Sequence, residues 1–274
     1  MDRIRRNERM AAMMKMLSGA PNRIFTLSSF CELFGTAKSS MSEDVELLEQ
    51  TVRGFDLGEV STVTGAAGGV RYRPLVSREK ALATICGLCE RLSGTERVLP
   101  GDFLYYSDIL STPDIVTSMG EIIATEYYAT EPDFVLTMET KGIPVAFATA
   151  NALGVPLIIA RHSSRVYEGS AVNINYVSGS GSIETMSLSR RAVRENQRAL
   201  IVDDFLKGGG TARGMVELMR EFKVSVTGMA FVMATVSPEK KRISGEKALM
   251  TLEIAPGEPA GAVVRPADWL RKTS

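Results

Sequence analysis

The sequence predicts an α/β protein in two parts: an N-terminal helical segment closed by a β-hairpin, and a larger region built on a mainly parallel sheet. Three observations carry that prediction. Apolar residues repeat at helical spacing between Met10 and Val52. Two short β-type runs then flank a glycine-rich turn. From Asp133 onward, strand-like and helix-like runs alternate. A chain of 274 residues with 45% hydrophobic content is long enough to build two cores. The boundary is placed near Pro74, giving parts 1–74 and 75–274.

In the first part, Met10, Met13, Met14 and Leu17 share one helical face, which ends at Gly19 and Pro21. Leu27, Phe30, Cys31 and Phe34 repeat the spacing, with Thr26 as N-cap and Gly35 as the stop. Met41, Val45, Leu48 and Val52 mark a third helix, and Ser40-Met41-Ser42-Glu43 reads as a capping box at its start. Glu59–Thr64 and Val70–Arg73 read as strands around Gly65-Ala66-Ala67-Gly68-Gly69, which puts Arg71 and Arg73 on one side of a hairpin. Three helices followed by a basic hairpin resemble a winged helix. By that resemblance, Lys38, Ser39, Ser40 and Ser42 sit at the exposed start of a recognition helix, facing base edges and phosphates. The first twenty-five residues add Arg3, Arg5, Arg6, Arg9, Lys15 and Arg23 against only Asp2 and Glu8. The expected DNA contacts are therefore Arg3, Arg5, Arg6, Lys38, Ser39, Ser40, Ser42 and Arg71. Glu43, Asp44, Glu46 and Glu49 on the same helix keep a second reading open, a small helical interaction module.

Residues 77–128 read as mostly helical, with an aromatic, irregular segment at Pro100–Tyr106 that forms a hood and whose rings are assigned to the core. Phe134–Met138 is a strand ending at Glu139-Thr140-Lys141-Gly142, followed by a helix through about Leu153 and a strand at Val155–Ala160. A Ser/Gly-rich stretch at Tyr176–Ser182, set between β-type runs, is expected to be a mobile hairpin. Strands near Val226–Ala234 and Ala248–Ile254 complete the pattern. Cys86 and Cys89 make a C-x-x-C, but they lie on the apolar face of a helical stretch and His162 is the single histidine, so they read as buried thiols. The net charge is zero, with 32 basic and 32 acidic residues, and leaves a nucleic-acid partner open. No apolar run reaches about eighteen residues and no leader pattern follows Met1, so a cytoplasmic location with no membrane association is expected.

The most specific stretch is Ala199–Thr211, where an apolar strand ends in Asp203-Asp204 and Phe205-Leu206-Lys207-Gly208-Gly209-Gly210 leads into a helix. Such a strand–loop–helix unit aims backbone N–H groups and a helix N-terminus at a phosphate. Paired carboxylates would repel a bare phosphate, but they suit a phosphorylated sugar whose adjacent hydroxyls donate to them. The stretch resembles the phosphoribosyl pyrophosphate (PRPP) motif of type I phosphoribosyltransferases. By that resemblance, Asp203 and Asp204 hold the ribose, and Gly208, Gly209, Gly210 and Thr211 cradle its 5′-phosphate. Thr140, Lys141 and Gly142 then occupy the pyrophosphate loop. Arg161-His162 matches a strand-end Arg-Lys pair of adenine and xanthine enzymes, with histidine in place of lysine. Phe205 is placed to stack on a base, and Lys207 to meet an anionic ligand.

Taken together, Ala37-Lys38-Ser39-Ser40, Gly65–Val70, Glu168-Gly169-Ser170, Ile174–Ser180 and Asp203–Lys207 resemble the purine operon repressors of Gram-positive bacteria along essentially the whole chain. That resemblance implies a homodimeric, DNA-binding repressor of purine biosynthesis and transport genes. It would bind inverted-repeat operators in double-stranded DNA and sense PRPP through a non-catalytic phosphoribosyltransferase-like domain. Mg2+ would accompany PRPP, and guanosine tetraphosphate would compete with it. The alternative is an active purine phosphoribosyltransferase with an accessory N-terminal domain. Lys207 separates the two readings: hypoxanthine-type enzymes place a base-handling Asp there, and a protonated lysine cannot do that work.

Overall fold

The computed structural model describes residues 4–65, 68–163, 169–178, 181–255 and 261–271. Arg3, Ala66, Ala67, Glu168, Gly179 and Ser180 lie outside the described residues. Contacts divide the chain into two compact units, Met1–Ser77 with Asn151–Gly154, and Arg78–Ala150 with Val155–Ser274.

The first unit holds helices α1 (Arg6–Ser18), α2 (Leu27–Phe34) and α3 (Lys38–Gly54) and strands β1 (Glu59–Val63) and β2 (Gly69–Arg73). The apolar faces converge as the spacing requires: Met13, Leu17, Phe30, Phe34, Met41, Val45, Leu48 and Val52 form one core with Val60, Val70 and Tyr72. Phe30 stacks on Phe34 with ring centroids 6.0 Å apart. Thr26 caps α2 by accepting the Ser29 N–H, and Gly35 ends it in the left-handed region. β1 and β2 pair antiparallel from Glu59↔Arg73 to Val63↔Gly69. The start of α3 differs from the expected capping box. Extended backbone at Ala37 lets the helix begin at Lys38, so Ser40 and Glu43 are already inside it. Ser42 Oγ instead donates back to the Lys38 carbonyl at 3.0 Å.

The second unit runs α4 (Arg78–Leu92), β3 (Val98–Leu99), β4 (Phe103–Leu104), α5 (Ser107–Leu110), α6 (Pro113–Tyr127), a 3₁₀ turn (Tyr128–Thr130), β5 (Phe134–Met138) and α7 (Ile143–Leu153). It continues with β6 (Leu157–Ala160), β7 (Ala171–Val177), β8 (Ile183–Ser189), β9 (Arg198–Leu206), α8 (Gly210–Glu221), β10 (Ser225–Thr235), β11 (Glu246–Ala255), β12 (Gly261–Pro266) and α9 (Asp268–Arg271). The main sheet has the order β12-β11-β10-β9-β5-β6. All its pairings are parallel except β11–β12, which is antiparallel. The central strands β5 and β9 are buried almost throughout, as parallel strands covered on both faces must be. β7 and β8 form a separate antiparallel hairpin. β12 is an edge strand that alternates buried with partly exposed positions, a weak pattern the sequence reading did not assign.

Candidate functional site

The carboxyl ends of β5 and β9 lie side by side, because Phe134–Leu136 pairs in register with Ala199–Ile201. That register brings Thr140 and Lys141, after β5, to the same cavity as Asp203, Asp204 and Phe205, at the end of β9. The cavity measures about 460 Å³, and Thr211 and the hairpin residues Tyr176 and Glu184 also line it. A smaller cavity of about 160 Å³ adjoins it, lined by Asp203, Phe205, Lys207, Gly208, Gly209, Gly210 and Thr211. Ligands of open parallel sheets bind beyond the strand carboxyl ends, where these two spaces lie.

Both acids are buried, with Asp203 at 7% and Asp204 at 9% exposure. Burial, and then the neighbouring Asp204 charge, hold the Asp203 carboxyl well above the ordinary carboxylate range. Tyr106 Oη donates to Asp204 Oδ2 at 2.5 Å. The Tyr106 ring stacks on Phe205, centroids 6.0 Å apart, and carries Lys141 Nζ 5.1 Å from its own centroid. Burial and the Asp204 charge hold the Tyr106 phenol above its usual range. Across the cavity Tyr176 Oη donates to Glu184 Oε2 at 2.9 Å, and burial followed by Glu184 pushes the Tyr176 phenol up to about 12. His162 Nδ1 lies 3.7 Å from the same Glu184 oxygen.

Two glycines are required by close approach. A Cβ on Gly210, the first residue of α8, would lie 2.0 Å from the Val177 carbonyl oxygen. One on Gly142 would lie 2.0 Å from Asp203 Oδ1. The absent side chains therefore let the helix N-terminus pack against the β7 backbone and the 140–142 turn pack against the acids.

Of the expected effector-binding residues, Asp203, Asp204, Phe205, Thr140, Lys141 and Thr211 line the larger cavity. Lys207 and the three glycines line the smaller one, which Phe205 of the Tyr106–Phe205 stack also lines. Arg161 lines neither cavity; its Nη1 pairs with Glu139 Oε2 at 3.2 Å, while the His162 N–H donates to Glu139 Oε1 at 2.7 Å. Burial raises the Glu139 carboxyl pKa, but that N–H and Arg161 together bring it below the usual value. Of the hood rings assigned to the core, Tyr106 is buried as expected, but Phe103 and Tyr105 are exposed; sequence reasoning missed the contact of the Tyr106 hydroxyl with Asp204 and also Glu139 and Glu184. An aromatic with a polar end inside the hood segment was the signal available for Tyr106.

In the first unit, Lys38, Ser39 and Ser42 are exposed and Ser40 half-buried at the start of α3. Arg5 is exposed just before α1, with its N–H donating to Glu8. Arg71 faces the same side of the hairpin as Arg73. Arg6 is committed to acids: Nε lies 2.7 Å from Asp44 Oδ1 and Nη2 3.3 Å from Glu43. Arg9 Nη2 reaches the other Asp44 oxygen at 2.6 Å, and Asp44 is fully buried. Asp44 thus faces α1 and adds no repulsion to a nucleic-acid surface.

Comparison with known proteins gives a family for each part. The family described as bacterial purine repressor, N-terminal, matches residues 5–74, and the phosphoribosyl transferase domain matches residues 106–263. The purine biosynthesis transcriptional repressor PurR of Bacillus subtilis is 37% identical over 270 residues, covering 98% of this chain and 95% of that protein. The purine biosynthesis transcriptional activator PurR of Lactococcus lactis subsp. lactis is 38% identical over 251 residues, covering 91% and 93%. Among solved structures, adenine phosphoribosyltransferase from Thermoanaerobacter pseudethanolicus aligns with a TM-score of 0.52 at 20% identity, covering 60% of this chain and 99% of that one. That likeness is one of fold alone. Among the described residues, no helix is long and apolar enough to cross a membrane.

Proposed function

Since this chain belongs to the PurR family of purine biosynthesis transcriptional regulators, we propose that its first unit binds operator DNA and its second unit is a non-catalytic sensor of PRPP. The observation that carries the sensor reading is the buried pair Asp203-Asp204 beside a glycine-built helix N-terminus. Asp203 and Asp204 accept the ribose hydroxyls, Gly208–Thr211 take the 5′-phosphate on backbone N–H groups, and Thr140, Lys141 and Gly142 face the pyrophosphate. Lys207 adds a cation beside the cradle.

Four carboxylates, Glu139, Glu184, Asp203 and Asp204, bear on a cavity that must also accept a diphosphate. Among the described residues no three His, Cys, Asp or Glu side chains gather to hold a metal ion, so Mg2+ would arrive on the diphosphate oxygens and offset that repulsion there. Guanosine tetraphosphate is the competing effector: its diphosphates suit the same loops and its base suits Phe205. Regulation is by repression of purine biosynthesis and transport genes, from a homodimer on inverted repeats, with PRPP releasing the DNA. The Bacillus subtilis relative is named a repressor and the Lactococcus lactis one an activator.

The test begins with selection of binding sites from a random duplex pool, followed by affinity measurements with and without PRPP and Mg2+. Release of the selected duplex by PRPP is the expected result. A selected duplex held equally tightly with and without PRPP overturns the sensor reading.

A further inference from the structure

A further cavity of about 390 Å³ lies between the β7–β8 hairpin and α8, wholly within the second unit. Strand alternation sets it apart from the cavity that holds the acids. Tyr176 and Glu184 line that one, whereas Asn175, Val177 and Ile183 stand on the opposite face of the hairpin. Tyr176 borders both spaces and is the wall between them.

The groove combines an apolar wall with a surplus of positive charge. Val177 and Ile183 are directly opposite one another across the strands, yet 38% and 77% exposed. Beside them α8 presents Arg213 and Glu217, paired at 2.8 Å, and the segment between β10 and β11 presents Arg242. Arg242 Nη1 donates to the Val177 carbonyl at 3.2 Å, and no carboxylate pairs with it among the described residues. Two guanidinium groups therefore share the groove with one carboxylate. Asn175 Oδ1 accepts the Thr185 hydroxyl at 3.0 Å, which leaves the amide N–H groups as donors.

These groups stand on fixed backbone. Arg213 and Glu217 sit on a regular helix, and the Arg242 N–H donates to the Gly208 carbonyl at 3.0 Å. A ligand arriving here has little main chain left to order. The volume lies within the range of small-molecule pockets, which set a few polar groups in an apolar surround.

We propose that this groove is a second ligand site, separate from the effector cavities, and that it takes a nucleoside 5′-monophosphate. Guanidinium forks match phosphate oxygens two at a time, which assigns the phosphate to Arg242 and Arg213. The base lies against Val177 and Ile183 and accepts from the Asn175 amide, and a ribose hydroxyl donates to Glu217. A sugar phosphate alone leaves the apolar pair uncovered, and a free nucleoside leaves the arginines unused. None of the four polar residues lines the effector cavities, so the assignment stands apart from the PRPP reading.

The test is titration calorimetry of the full chain with AMP and GMP, and with ribose 5-phosphate and adenosine as partial ligands. Four proteins are compared: the parent, Asp203→Asn, the double variant Arg213→Gln with Arg242→Gln, and Ile183→Gln. Asp203→Asn should bind the better nucleotide as the parent does. The arginine double variant should lose about tenfold or more, as removal of charge-assisted hydrogen bonds requires. Ile183→Gln, at a position too exposed to unfold the chain, should lose about threefold through the missing apolar contact. Ribose 5-phosphate and adenosine should each bind about tenfold more weakly than the nucleotide. Binding lost in Asp203→Asn but kept in the arginine variant would overturn the proposal by placing the nucleotide in the effector cavity. Ribose 5-phosphate binding as tightly as AMP and GMP would overturn the nucleotide assignment, leaving a plain phosphate site. Parent chain that takes up neither nucleotide at millimolar concentration would overturn the site altogether.

Discussion

Tyr106 Oη sits 2.5 Å from Asp204 Oδ2, so a phenol from the segment before α5 occupies one of the two acids assigned to the ribose. A sugar hydroxyl must share or displace that donor. Replacing Tyr106 with Phe removes the competing hydrogen bond and keeps the ring that stacks on Phe205. The expected outcome is PRPP binding about threefold to tenfold tighter, consistent with roughly 1 kcal/mol for one hydrogen bond. Titration calorimetry of the two proteins side by side measures it, and weaker binding by Tyr106→Phe would show that the phenol helps hold the ligand.

Asp203 gives a prediction about stability that opposes its function. Its carboxyl keeps a proton to higher pH in the fold than in the unfolded chain, because it is buried beside Asp204. The folded state thus holds a proton the unfolded state has released, and stability falls as pH rises from the ordinary carboxylate range through the raised value. Asp203→Asn should flatten that decline and add about 1–2 kcal/mol at neutral pH, a Tm rise of about 2–4 °C per kcal/mol. The same variant should bind operator but no longer release it with PRPP. Thermal melts across pH, paired with release assays, separate the two effects.

Gly210 and Gly208 lie two residues apart, yet a Cβ has opposite consequences. At Gly210 it would lie 2.0 Å from the Val177 carbonyl oxygen, whereas at Gly208 it meets nothing within 4 Å. Gly210→Ala should destabilise the sensor unit by about 1–3 kcal/mol through forced movement of β7 and should abolish the PRPP response. Gly208→Ala should leave the melting temperature within about 1 °C of the parent. Equal melting temperatures for the two variants would contradict the packing described.

Lys38 and Arg6 were grouped by charge, but the fold assigns them different surroundings. Lys38→Ala should weaken operator binding and make the salt slope shallower by about 0.9, one phosphate contact. Arg6 is already neutralised by Asp44 and Glu43. Arg6→Ala should therefore lower the melting temperature while leaving the salt slope at its parental value. A shallower slope for Arg6→Ala would move that arginine into the DNA interface.

Incubation with labelled PRPP, Mg2+ and adenine, guanine, hypoxanthine or xanthine in turn should yield no nucleotide. Transfer needs a base held in line with the anomeric carbon and a group to handle its proton. The stacked pair Tyr106 and Phe205 offers an aromatic surface, while Lys207 lies in the adjoining cavity. Repeated turnover with any one base would reinstate the transferase reading.

Local chemistry made the main outline readable from sequence. The faces of α1 to α3, the alternation of strand and helix after Asp133, and the acids followed by glycines are all short-range patterns. They are set by residue spacing and turn requirements that act within a few positions. Tertiary structure decided which of those residues work together. Asp44 looked like one of four acids on an exposed face, but Arg9, 35 residues away, and Arg6 draw it into the interior. Tyr106 looked like core and is buried, but only packing shows that an acid 98 residues away takes its hydroxyl. Arg161 looked like a ligand contact, and Glu139 engages it first. A sequence states which groups can pair, but the geometry that brings two of them within about 3 Å belongs to the packed chain.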